Sequence, residues 1–388
     1  MAIHKSAFKR ASLPQLPPEL WIDIHRLATE SLSPLAAVYD KRSSNSDDPL
    51  NDLDLQRYLR AVRTLARVCR LWNSITRDLL YAHVRINARF NSLATALADP
   101  STAAAVRSVR LSSTRFDYNV AVLRLCPHLA LIVQPEFPRP GRVHFGPVVP
   151  LPALPHLTHL YWISSAWSAD LLARVLHAAP TLTDLHLSHS STIAPPDASD
   201  VPALPALRDL VLEPRLPHPA MLSLLASPLP VLAHFTLSPA HLTYPAFPTL
   251  PTVHTLTLAD PSPQLHPLQL ARIATRFPRL RELRYNVTMA APLVQTPAAE
   301  AEVPPLLATV RLALASLVRM PPHNVTHLAR LARAHLRLLL ALHGVERVVL
   351  EGRWDVLRAA SADDLEALLG ELRGRGCVVE GSGFEAET

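Results

Sequence analysis

Apolar residues recur along most of this chain in the pattern Pro-x-Leu-x-x-Leu-x-Leu, which is clearest in Pro180-Thr-Leu-Thr-Asp-Leu-His-Leu187. Six further copies share the frame, and they begin at Pro155, Pro205, Pro230, Pro251, Pro278 and Pro305. Weaker copies begin at Val106, Pro127 and Val345. The prolines from Pro155 onward are 25, 25, 25, 21, 27 and 27 residues apart. A period in the twenties is typical of a solenoid.

Each copy predicts one short strand of a parallel sheet. In Leu185-His186-Leu187 the two leucines point to one face and His186 to the other, because side chains alternate along a strand. A single strand of this kind cannot bury its apolar face, whereas stacked copies form a continuous core. Amphipathic segments that predict helices separate some strands, and they cover residues 168–177, 268–277, 325–343 and the stretch after Ser361. The polar stretch 188–201 is expected to be a loop.

The Leu-x-x-Leu-x-Leu core resembles that of leucine-rich repeats. The Asn or Cys that usually follows this core is missing from most copies, and only Asn286 lies close to that position. The resemblance implies an α/β solenoid of parallel strands with irregular helices and loops. We assign it to residues 100–380 and expect a flexible tail at 381–388, while the curvature of the array stays open.

Residues 13–90 carry a helical pattern instead. Pro17 and Pro18 suit the entry to a helix, where their missing amide donors would be unpaired anyway. Apolar residues then recur at steps of three and four from Leu55 to Tyr81, which predicts one long helix with arginines on its opposite face. Between the two helical segments, residues 31–54 are expected to form an inserted polar loop.

This block resembles an F-box. The resemblance is carried by Leu16-Pro17-Pro18-Glu19-Leu20 with Ile24, and by Val68-Cys69-Arg70-Leu71-Trp72 with Ile75. F-box families join this module to leucine-rich repeats in the order found here. In typical F-boxes the two halves lie much closer together, so the insertion leaves open whether the block binds a partner or only caps the array.

The resemblance implies the substrate receptor of a cullin-based ubiquitin ligase. A Skp-type linker would dock on Leu16, Pro17, Leu20, Ile24, Val68 and Trp72. The array would select a target protein through the outward positions of its strands, which are His159, Tyr161, Asp184, His186, Asp209, His234, Thr236, Glu282 and Arg284. Their mixed character favours a protein or peptide ligand over nucleic-acid phosphates. The alternatives are a repeat scaffold without ligase function and a small-ligand sensor or hydrolase.

Motifs for catalysis are missing from the sequence. Only nine glycines occur, with no Walker-type or Gly-x-Gly-x-x-Gly pattern, and neither His-Glu-x-x-His nor Gly-x-Ser-x-Gly is present. His156 with His159, and His186 with His189, lack Glu or Cys companions, and Cys126-Pro-His128 is too weak as a nucleophile–base pair. We therefore expect no catalysis, no cofactor and no metal.

The cysteine content, the net charge and the length of apolar runs bear on the cellular compartment and on the class of partner. Three widely spaced cysteines fit reduced intracellular thiols rather than a disulfide scaffold. The formal net charge of +6 is mild for 388 residues, which argues against nucleic acid as the main partner. No apolar run is long enough to span a membrane, so we expect a cytoplasmic or nuclear protein.

Overall fold

A computed structural model of the chain describes residues 52–68, 70–86, 90–112, 116–135, 150–164, 169–189, 202–212, 219–243, 246–259, 267–287, 304–314, 322–360 and 362–381. The chain divides into two compact units, Met1–Leu111 and Ser112–Thr388. The predicted linker-binding residues Leu16, Pro17, Leu20 and Ile24 lie outside the described residues, as do most of the predicted 31–54 insertion, the predicted loop from 190 and the predicted tail after 381. Ser188 and His189 were predicted to belong to that loop, but they end a strand instead.

The described part of the first unit contains helices followed by two strands. Its elements are α1 (Asp52–Ala66), α2 (Arg70–Ala82), β1 (His83–Arg85), α3 (Phe90–Leu97), α4 (Pro100–Ala105) and β2 (Ser108–Arg110). Helices α1 and α2 pack on each other, and β1 pairs with β2 in parallel, with His83 opposite Ser108. The predicted array begins near residue 100, whereas the first compact unit extends to Leu111 because it includes β2.

The prediction of one continuous helix from Leu55 to Tyr81 is wrong. The chain turns after α1, where the amide of Val68 donates to the carbonyl of Leu65 at 3.1 Å, a bond across three residues instead of four. The side-chain amide of Asn73 then donates to the carbonyl of Ala66 at 3.2 Å and caps the end of α1. Apolar spacing did not reveal this break because it continues at three- and four-residue steps on both sides of the turn. The first three residues of helix α1, 52–54, also lie inside the predicted insertion.

The described part of the second unit alternates strands with helices. Its elements are α5 (Phe116–Leu125), β3 (Leu131–Gln134), β4 (His159–Ser164), α6 (Ala169–Ala178), β5 (Asp184–His189), β6 (Asp209–Leu212), α7 (Pro219–Ala226), β7 (His234–Leu237), a 3₁₀ helix (Pro239–Thr243), β8 (Thr255–Leu258), α8 (Pro267–Arg276), β9 (Glu282–Val287), β10 (Thr309–Leu314), α9 (Pro322–Ala341), β11 (Arg347–Glu351), α10 (Trp354–Ala360), α11 (Ala362–Gly374) and β12 (Val378–Gly381). Helices α6, α8, α9 and α11 confirm the four predicted helical segments.

Strands β3 to β12 form one sheet in which sheet order follows chain order and every neighbouring pair is parallel. The register repeats without a slip, so that Leu160, Leu185 and Leu210 lie side by side. All three are at most 1% exposed. The predicted stack of parallel strands with an apolar inner face is therefore confirmed.

The recurring proline occupies the same turn in each repeat. In Leu154-Pro155-His156-Leu157 the amide of Leu157 donates to the carbonyl of Leu154 at 3.1 Å, which closes a four-residue turn. Proline suits the second position of such turns because its ring fixes the φ angle that the position requires. Equivalent bonds close the turns at Leu182, Leu207, Leu232, Val253, Leu280 and Leu307.

A ladder of shared carbonyls joins the repeats beside these turns. The carbonyl of Thr158 accepts the amides of both Thr183 and Asp184, at 3.0 and 2.9 Å. The carbonyl of Thr183 does the same for the next repeat, and the pattern continues through the carbonyls of Arg208, Ala233, His254, Arg281 and Ala308. These main-chain bonds need no particular side chain. The array therefore keeps its register although most copies lack the Asn or Cys of typical leucine-rich repeats.

Apolar side chains from strands and helices fill the interior of the second unit. Phe235, Phe247 and Phe277 are each at most 1% exposed and lie with ring centroids 6.1 to 6.3 Å apart. Among the described helices, none has both the length and the apolar composition needed to cross a membrane.

Candidate binding surface on the outer face of the sheet

The candidate site is the outer face of strands β4 to β9, formed by the side chains that alternate with the buried leucines. Strand register arranges them in two columns. The first column consists of His159, Asp184, Asp209, His234, Thr255 and Glu282. The second column consists of Tyr161, His186, Val211, Thr236, Thr257 and Arg284. Because the strands are parallel and in register, residues far apart in sequence form one continuous surface.

Eight of the nine residues predicted to face a target are accessible on this surface. The partly exposed residues are Tyr161, Asp184, His186, Asp209, Thr236, Glu282 and Arg284, and His234 is exposed. The structure thus brings together the side chains that alternation along the strands had selected. Their role in binding a target stays a prediction.

His159 is the exception, and its predicted place on the accessible surface is wrong. It lies in the first column but is only 4% exposed. Its strand neighbour Leu131 and the nearby Val133 occupy outward positions of β3 and are also buried, at 0% and 4% exposure. The outward side chains at the β3 end of the outer face are therefore buried, and alternation alone did not reveal this.

Hydrogen bonds fix the buried imidazole of His159 beside Asp184. Its Nδ1 lies 2.8 Å from Oγ1 of Thr158, and its Nε2 lies 3.4 Å from Oδ2 of Asp184. The Thr158 hydroxyl also lies 3.2 Å from the carbonyl of Ala130, so it contacts both the His159 ring and the neighbouring strand. The hydroxyl of Thr183 contacts the same Asp184 oxygen at 2.6 Å, which holds that carboxylate in place.

An aromatic pair occupies the second column next to this group. The rings of Tyr161 and His186 have centroids 5.2 Å apart and planes inclined by 45°. Aromatic side chains that present one face to solvent are enriched at protein interfaces, since they bury a large area at little cost in conformational entropy. With Asp184, this pair places a phenol, an imidazole and a carboxylate on two neighbouring strands.

The opposite end of the outer face carries a charged network. The Arg311 guanidinium contacts Glu282, and its Nη1 lies 3.5 Å from Oε1 of Glu351. Arg284 lies 2.7 Å from the other Glu351 oxygen. Burial lowers the pKa of Arg311, but its hydrogen bond to Glu282 and the charges of Glu282 and Glu351 outweigh this effect, so the pKa is raised overall.

Sequence reasoning missed two members of this network. Arg311 holds the outward position of the Pro305 copy, between the buried Val310 and Leu312, so the repeat pattern contained the signal. Glu351 lies at the end of β11, at the outward position after the buried Leu350 of a weaker copy, so the same alternation contained the signal.

The first unit presents one strongly exposed apolar side chain at the turn between α1 and α2. Val68 is 56% exposed, more than any other large apolar residue whose burial the structure describes. Trp72, in the first turn of α2, is partly exposed. These are the two predicted linker-binding residues within the described part of the chain.

A buried polar contact connects the helices of the first unit to its strands. The hydroxyl of Tyr58 in α1 donates to the carbonyl of Leu79 in α2 at 3.0 Å, and its ring meets the His83 ring at 4.8 Å. Nδ1 of His83 lies 2.7 Å from the hydroxyl of Ser108. Burial lowers the pKa of His83 to about 4 and raises the pKa of Tyr58 to about 12. Both groups are therefore neutral at pH 7.

Within the described residues, no three side chains of His, Cys, Asp or Glu are grouped as ligands for one metal ion. Comparison with known proteins adds no assignment, since neither a protein-family model nor a curated protein matches the chain.

Proposed function

We propose that this protein is a target receptor without chemistry of its own, which binds a protein on the outer face and a Skp-type linker on its N-terminal helices. It would thereby serve a cullin-based ubiquitin ligase in the cytoplasm or nucleus. Its contribution to the reaction would be a high effective concentration of target near the ubiquitin-charged enzyme.

The observation that carries the proposal is the contrast between the two faces of the sheet. The inner positions of β4 to β9 are closed by apolar packing, whereas the outer positions present two columns of polar and aromatic side chains from six repeats. Extended surfaces of this kind are how stacked repeats bind proteins. This surface mixes acidic, basic, polar and apolar side chains, such as Asp184, His186, Val211, Thr236 and Arg284. Such a mixture is typical of a protein interface, whereas a surface that binds a polyanion would be mainly basic.

Support for linker binding comes from Val68. A valine at a turn between two packed helices has no need to be exposed, and burial of its side chain against a partner would be favourable. Together with Trp72 it lies in the part of the chain that resembles an F-box. The remaining predicted linker-binding residues are outside the described range.

The decisive experiment measures binding of purified Skp-type linker to the full chain by fluorescence anisotropy. We expect the parent protein to bind and Val68→Asp to lose about tenfold or more in affinity, because a charge would be buried against the linker. Val231→Asp is the matched control, since Val231 is 43% exposed in the second unit and should leave affinity unchanged. Linker binding that is equal in all three proteins, or undetectable in the folded parent, would refute the ligase assignment.

A repeat scaffold whose helical block only covers the end of the array is the second candidate. It is favoured by the contacts of Tyr58 and His83, which join α1 and α2 to β1 and β2 within one compact unit. On this alternative the linker does not bind, yet deletion of residues 1–82 destabilises the remaining chain. A thermal melt of the truncated protein beside the linker titration separates the two candidates.

A further inference from the structure

We propose that His128 and His156 together bind a divalent transition-metal ion, Cu²⁺, Ni²⁺ or Zn²⁺, at the edge of the sheet where the strands begin. The two imidazoles come from consecutive repeats and are 28 positions apart in the sequence. The ion would bridge the two repeats.

The repeat geometry brings the two rings together. Each histidine follows the proline of its repeat, at Pro127-His128 and Pro155-His156. Three residues after each histidine comes a strand residue, and these two residues, Leu131 and His159, are partners in the register of β3 and β4. Neighbouring strands lie about 4.7–4.9 Å apart. The turns therefore stack at the same spacing, and the ring centroids are 4.9 Å apart with planes inclined by 47°.

This spacing suits two ligands of one ion. A metal–nitrogen bond of about 2.0–2.1 Å places each ring centroid about 3.2 Å from the ion, so ligand angles of about 90–109° separate the centroids by about 4.5–5.2 Å. Imidazole is a preferred ligand of copper, nickel and zinc, and Cu²⁺ binds most strongly in the general order of affinities. Water would complete the coordination of the ion.

Both histidine side chains reach solvent, where such an ion could approach them. His156 is exposed and His128 is partly exposed. Apart from their mutual ring contact, neither ring has a hydrogen bond or ion pair with another described residue. In the next repeat the equivalent position is Thr181, whose hydroxyl donates to the carbonyl of Pro155 at 2.8 Å. The site thus has two ligands, which predicts an exchangeable ion rather than a closed structural site.

The test is calorimetric titration of Cu²⁺, and separately Zn²⁺, into the metal-free full chain and three single variants. We expect His128→Ala and His156→Ala each to weaken the site by about tenfold or more, as losing either ligand removes the chelate. His177→Ala is the matched control, because His177 is an exposed histidine in α6 whose Nδ1 lies 2.9 Å from the carbonyl of Ala173. It should bind like the parent.

The double variant tests whether both rings hold the same ion. If they do, His128→Ala combined with His156→Ala should lose little more affinity than either single change, so the two effects are not additive. Thermal melts without metal check that the variants fold, and added metal should raise the melting temperature of the parent but not of the double variant. Parent-like titrations of both single variants, or an equal loss in His177→Ala, would overturn the proposal.

Discussion

Gly352 and Gly344 offer a test of how tightly the last repeats are packed. Both adopt a left-handed backbone, with φ of +95° and +94°, so both should resist substitution by alanine. Their surroundings differ. A Cβ at Gly352 would lie 3.2 Å from the carbonyl oxygen and 3.4 Å from the Cβ of Leu314, whereas a Cβ at Gly344 would meet nothing within 4 Å.

The magnitudes follow from these two environments. The left-handed conformation costs an L-residue about 1–2 kcal/mol, and the reduced entropy of the unfolded chain returns about 0.4–1 kcal/mol, so Gly344→Ala should destabilise the protein by about 1 kcal/mol. Gly352→Ala adds the overpacking of Leu314, which is worth about 1–3 kcal/mol. We therefore expect a total loss of about 2–4 kcal/mol for Gly352→Ala.

Urea denaturation followed by tryptophan fluorescence measures both values, since Trp354 lies two residues after Gly352 and is 1% exposed. Gly370→Ala serves as a third variant. Gly370 lies in α11 without a left-handed backbone, and a Cβ added there would meet nothing within 4 Å, so alanine should stabilise the helix by about 1 kcal/mol. If Gly352→Ala costs no more than Gly344→Ala, the close approach of Gly352 to Leu314 does not limit the size of the side chain there.

Two further predictions concern the core of the second unit. Phe235→Ala should destabilise the protein by about 3–5 kcal/mol, because it opens a cavity beside Phe247 and Phe277. Val231→Ala, at an exposed position, should change the free energy of unfolding by less than about 0.5 kcal/mol in the same urea assay. Burial lowers the pKa of His335 from 6.5 to about 4, so the unfolded chain takes up the proton first as the pH falls. The free energy of unfolding should therefore decline by about 3 kcal/mol between pH 6.5 and pH 4. His335→Leu should remove this part of the pH dependence in a series of urea titrations.

The repeat was predictable because its signals are local. A strand with buried leucines at alternate positions, and a turn that favours proline, both follow from residues within one copy, such as Pro180 to Leu187. Periodicity then predicted that the copies stack in parallel. The sequence did not reveal that a carbonyl ladder holds the repeats, because main-chain bonds leave no mark on side-chain identity.

The break between α1 and α2 depended on information that apolar spacing does not contain. The bond from Asn73 to Ala66 and the exposure of Val68 arise from how the chain turns back on itself. Similarly, the pattern placed His159 on the outer face, but only packing at the β3 end decided that it is buried beside Asp184.

The sequence by itself determined which side chains face each way along strands β4 to β9, and hence the membership of the outer face apart from the exposure of His159. Tertiary structure alone decided which side chains meet across repeats. Arg311 with Glu282, Tyr161 with His186, and His128 with His156 are all pairs from different copies. The physical reason is that strand register fixes contacts between residues about 25 to 29 positions apart, and no local pattern along the chain encodes a distance in space.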